Sequence, residues 1–184
     1  MVSNMNRNRK YTDKERQVFM YGTELILNSL LKILIYLLVG IAAGKGIEVT
    51  VAVCIFGVVR KCSGGIHAKT NLGCFLITGS ILASSIYMSG ILQIQGKVYV
   101  LSSVAVWIIY ACLAPCDEYY REKGRKAQAR EQKIKTLILV SMILVSGYYL
   151  KYPWKMLILC ILALQGITLI EVTKDNQEGR ADES

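Results

Sequence analysis

Residues 72–92 read Leu72-Gly73-Cys74-Phe75-Leu76-Ile77-Thr78-Gly79-Ser80-Ile81-Leu82-Ala83-Ser84-Ser85-Ile86-Tyr87-Met88-Ser89-Gly90-Ile91-Leu92, without a single charged side chain. A helix crossing the hydrocarbon core of a bilayer needs about 20 predominantly apolar residues. This stretch meets that length, and it does not stand alone. Further apolar blocks occupy roughly 25–44, 47–59, 98–114, 134–150 and 153–170. The block at 47–59 is short, and reads either as a tilted span or as a segment buried among the others. A β-barrel would show shorter segments of alternating polarity. The expected fold is therefore all-α: a polytopic integral membrane bundle of about six helices in a single domain over 1–184.

Composition agrees. Of 184 residues, 53% are hydrophobic and 19% charged, with a mean hydropathy of +0.39. Soluble domains carry about 25% charged residues. Six cysteines in this length are too sparse for a secreted disulfide scaffold. The first 20 residues are polar and basic, and the apolar block after them shows no small-residue cleavage site, so it is expected to be retained.

Lys+Arg number 22 against 13 Asp+Glu, a net charge of +9. The basic residues cluster before the first block, between the second and third (Arg60, Lys61, Lys69), and in the loop 117–133 and the residues just after it. Every second connection is basic, and basic loops stay in the cytoplasm. Both termini are accordingly expected on the cytoplasmic side. Because the charge lies at membrane boundaries, it argues for topology and against nucleic-acid binding. The tail 171–184 is acidic and is expected to fray.

Polar residues inside the blocks are few. Glu24, Asn28 and Lys32 recur every four residues, so they share a helix face. The stripe is either the polar side of a helix lying at the interface or the lining of an interior site.

The chemistry gathers between the second and third blocks. Residues 60–74 read Arg60-Lys61-Cys62-Ser63-Gly64-Gly65-Ile66-His67-Ala68-Lys69-Thr70-Asn71-Leu72-Gly73-Cys74 and hold the only histidine. With Asn71, or failing it Thr70, as the N-cap, Cys74 falls in the first turn of the third helix. The positive end of the helix dipole and the nearby cations favour a thiolate there. In an unbroken helix His67 and Cys74 would lie about 10 Å apart. A Cys–His pair therefore requires the backbone to fold back between them, a turn that Gly64, Gly65 and Gly73 make sterically easy. Structural readings compete: an interfacial histidine, and cysteines serving as small apolar residues. A zinc site from Cys62, His67 and Cys74 would have only three ligands without a familiar spacing, and no cofactor or metal is expected.

The run Arg60-x-x-Ser63-Gly64-Gly65-x-His67, with Cys74 seven residues after the histidine, resembles the signature of the accessory gene regulator B (AgrB) family. Tyr21-Gly22-x-Glu24 and Ala114-Pro115-x-Asp117 are similar to further family patterns, as is the layout of apolar blocks. Cys62 departs from the family, which often has a residue such as Tyr there, and the loop after Asp117 follows it only loosely. The resemblance implies a membrane-embedded cysteine peptidase of the bacterial plasma membrane, acting near the cytoplasmic face in quorum sensing. Its partner would be an autoinducing-peptide precursor, cleaved through a thioester and closed to a thiolactone. Cys74 would be the nucleophile and His67 the general base. Arg60 and the first amides of the third helix are candidates for stabilising the oxyanion, and Glu24 or Asn28 for orienting His67. The bilayer is the second expected partner, and a homodimer suits so small a bundle. Rival readings are a small transporter and a non-catalytic membrane regulator. The polar residues gather at one membrane face, which favours a one-sided site over a pore.

Overall fold

The structure is a computed structural model describing residues 13–64, 71–114 and 126–181. Within these it is entirely helical: α1 (Asp13–Ala42), α2 (Gly46–Ser63), α3 (Asn71–Ile91), α4 (Gly96–Leu113), α5 (Lys126–Tyr149) and α6 (Trp154–Ala181). Three helical segments are long and apolar enough to cross a membrane, Leu72–Ile91, Gly96–Leu113 and Trp154–Glu171, and α1 adds the shorter apolar stretch Leu27–Ala42. The chain is an integral membrane helical bundle.

Short connections join α1 to α2, α3 to α4 and α5 to α6. Gly44, with φ of 68°, allows the turn from α1 to α2, because the left-handed region penalises any side chain. Close approach of the two helices follows at Gly40. A Cβ built there would lie 2.6 Å from Cγ2 of Val49. Side-chain contacts fix which ends lie together. Tyr152 donates to the Gly90 carbonyl, and the Lys155 ammonium lies 5.2 Å and 5.1 Å from the ring centres of Tyr99 and Tyr148. This aromatic, lysine-bearing end has the composition of a membrane interface. The C-terminal end of α2 meets α5 and α6 at the other pole, through Thr136 and Gln165.

Two helices organise the packing. α2 touches α1, α3, α5 and α6, while α6 touches α2, α3, α4 and α5. In α2 the buried positions are Val49, Ala52, Phe56, Val59 and Ser63, alternating steps of three and four as in a coiled-coil seam. Ala52 and Phe56 join Ile81, Leu82, Leu157 and Ile161 in one cluster. Val59 joins Tyr110, Val140, Leu144 and Leu162 in the other. The short block at 47–59 is thus an 18-residue helix, about 27 Å long. Glu48, Arg60 and Lys61 lie in its end turns.

Two boundaries differ from the sequence reading. α5 takes in Lys126–Tyr149, so the second half of the basic segment is helical, supported by an exposed Glu131–Lys135 ion pair of 2.6 Å. The acidic tail does not fray at 171, because α6 runs on to Ala181. Its added turns hold no proline to interrupt the backbone hydrogen bonds.

Candidate active site

The residues singled out between the second and third apolar blocks sit where α2 ends and α3 begins. Gly64 ends α2 with φ of 77°, and its N–H donates to the Arg60 carbonyl. No continuous helix joins Arg60 to Cys74, since α3 starts afresh at Asn71 and packs back against α2. The described part of α3 opens at Asn71, and the cap expected at Asn71 or Thr70 borders residues outside the described ones. Cys74 lies three residues into that stretch, half-buried and without a disulfide. His67 and Gly65 lie outside the described residues.

Arg60 and Tyr36 stand beside the start of α3. Arg60 donates from Nη1 to Oγ1 of Thr78 at 3.2 Å, and its guanidinium lies 5.5 Å from the centre of the Phe56 ring. One helical turn separates Thr78 from Cys74. Tyr36 stacks on Phe75, with ring centres 5.0 Å apart, and donates its hydroxyl to the Phe75 carbonyl at 2.6 Å. The phenol is within electrostatic range of both Cys74 and Arg60. A half-buried thiol, a guanidinium and a phenol from three helices therefore share one corner of the bundle.

The stripe on α1 can now be oriented in part. Asn28, Lys32 and Tyr36 are partly buried and Gly40 is fully buried, whereas Leu27, Leu30, Leu31, Leu34 and Leu38 are exposed. The four-residue spacing thus follows the face of α1 turned toward the protein. The side chain of Glu24 lies outside the described residues. Continuing the spacing of Asn28 and Lys32 by one step points to Tyr36, which the sequence reading did not single out.

From this corner a groove of about 770 Å³ runs between α1 and α3, from Tyr36 and Phe75 toward Gly90 and Ile91. Its walls are mostly apolar, with Gly79, Ser80 and Ala83 along one side. Among the described residues no three His, Cys, Asp or Glu side chains gather into a metal site.

The chain is similar to two AgrB-like proteins of Clostridium perfringens. One, from strain 13, is 24% identical over 177 residues, covering 86% of this chain and 83% of the relative. The other, from strain SM101, is 22% identical over 158 residues, covering 79% and 74%. No solved structure matches. Residues 1–169 match the family described as accessory gene regulator B, and the chain belongs to that family, which takes part in processing autoinducing peptides in quorum sensing.

Proposed function

We propose that the chain is a membrane-embedded cysteine endopeptidase that cleaves an autoinducing-peptide precursor and passes its N-terminal part on to a cyclic thiolactone. The observation that supports this reading is that α2 ends at Gly64 and Cys74 lies three residues into the described part of α3, which packs back against α2. A thiol there feels the positive end of the helix dipole. Arg60 adds a fixed cation held by Thr78. The break supplies the change of direction that a His67–Cys74 pair needs.

In the reaction, His67 takes the proton of the Cys74 thiol, and Sγ attacks the scissile carbonyl of the precursor. The amides of the first turn of α3 and Arg60 stabilise the oxyanion. Collapse breaks the C–N bond. The amine of the C-terminal fragment leaves with the proton from His67, and the N-terminal part remains as a thioester on Cys74. A cysteine thiolate of the precursor then attacks that thioester, closes the ring and releases the Cys74 thiolate. Thioester exchange is nearly balanced in energy and hydrolysis is downhill, so a site at a membrane boundary protects the intermediate by limiting water. The site faces the cytoplasm of a bacterial cell, where the basic residues around 60–69 and 121–135 hold it.

Loss of the base tests this reading against a non-catalytic regulator. His67→Ala should insert into the membrane normally yet lose cleavage of a co-expressed precursor by about 10²–10⁴-fold, the usual contribution of a positioned base. Immunoblots of tagged precursor measure it. Cleavage at the wild-type rate would remove His67 from the mechanism.

A further inference from the structure

Cys74 lies on a stretch of α3 that two neighbouring helices grip. A groove of about 770 Å³ lies between α1 and α3, whereas α1 packs along α2. Tyr36 crosses that groove at the end beside Cys74. Its ring centre lies 5.0 Å from that of Phe75, with the planes 6° from parallel, and its hydroxyl donates to the Phe75 carbonyl at 2.6 Å. Gly79 permits this approach, since a Cβ there would sit 3.3 Å from Cε1 of Tyr36. Packing alone does not account for the hydroxyl. A phenylalanine would stack as well and leave no polar group to satisfy. The Phe75 carbonyl does not call for the phenol either, because a carbonyl inside a helix is met by the amide four residues on. What the hydrogen bond adds is alignment. Stacked rings tolerate an offset, whereas a hydrogen bond weakens steeply when misaligned.

The second grip comes from α2, where Arg60 donates to Oγ1 of Thr78 at 3.2 Å and lies over the Phe56 ring. Cys74 and Thr78 are four residues apart, about 40° around the helix, so the thiol shares the face that Arg60 holds. Tyr36 and Arg60 together fix the rotation of α3 about its own axis. A rotation of about 10° moves an atom about 5 Å from the axis by about 1 Å. An error of that size can cost about 10²-fold in rate. We infer that Tyr36 is a positioning residue for Cys74: its hydroxyl, bound to the Phe75 carbonyl, sets the rotation of α3 that keeps the thiol beside the Arg60 guanidinium. The consequence for acylation rests on the proposed peptidase reading, while the geometry does not.

Alkylation by iodoacetamide tests this without a precursor. The full chain in lipid nanodiscs is treated at neutral pH, and peptide mass spectrometry reads each cysteine. Tyr36→Phe keeps the stack and removes only the hydroxyl. It should slow alkylation of Cys74 by about three- to tenfold, the weight of one hydrogen bond, and leave the exposed Cys54 unchanged. In an Arg60→Gln background the same substitution should cost less than about twofold, because the cation it aligns the thiol with is gone. Thr78→Val, which removes the bond to Arg60, is a second arm and should shrink the penalty likewise. A penalty undiminished in both backgrounds would make Tyr36 a packing residue and overturn the assignment. So would alkylation of Cys74 at the wild-type rate in Tyr36→Phe. With a precursor, Tyr36→Phe should lower kcat by a similar factor and leave KM within about twofold. A chain that shows the coupling to Arg60 yet never acylates would lose the peptidase reading while the positioning stood.

Discussion

Gly64 shows how much one residue decides. Its φ of 77° ends α2, and an L side chain in the left-handed region costs about 1–2 kcal/mol. Gly64→Val should therefore lower the unfolding free energy by at least that amount and cut precursor cleavage more steeply than stability. Melting in detergent and a cleavage assay, run side by side, separate the two effects. Gly57→Ala is the control: Gly57 lies within α2 with open space where its Cβ would be, so both readouts should stay near wild type or improve slightly. Arg60, Gly64 and Cys74 stand out in the sequence because their spacing is local and their chemistry unusual within an apolar chain. Tyr36, Thr136 and Gln165 do not. Their hydrogen bonds reach partners 39, 74 and 101 positions away. Such contacts depend on how helix pairs align, and a single sequence carries no direct signal for that alignment.

Helices were legible to the extent that hydrophobicity marks them. The apolar blocks at 72–92 and 98–114 match α3 and α4 within two residues. The block at 134–150 marks only the apolar part of α5, whose first turns are basic. The acidic continuation of α6 is likewise invisible to hydrophobicity, since it is polar throughout most of its length. Packing of α1 was the least legible feature. α1 touches α2 closely at Gly40 and reaches α3 through Tyr36. Gly40→Val should push α1 away from Val49, lower stability by about 1–3 kcal/mol, and slow acylation by loosening the Tyr36–Phe75 stack. A fall in melting temperature with acylation unchanged would detach α1 from the site.

The whole molecule is a bundle built around α2 and α6, with one pole rich in tyrosine and lysine and the other holding Arg60, Cys74 and Gln165. The charge bias predicts a cytoplasmic position for the second pole and for both termini. Fusions after Ser184 check this: green fluorescent protein there should fluoresce, and alkaline phosphatase there should stay inactive. Active phosphatase would invert the bundle and put Cys74 at the outer face, away from a cytoplasmic precursor. The site itself is tested most directly by the intact mass of the purified protein after incubation with a precursor peptide, beside a Cys74→Ala control. A mass gain equal to the N-terminal part of the precursor, removed by hydroxylamine and absent from the control, is the expected result. Bound precursor with no adduct on Cys74 would contradict the peptidase reading and favour a regulator that binds the peptide without cutting it.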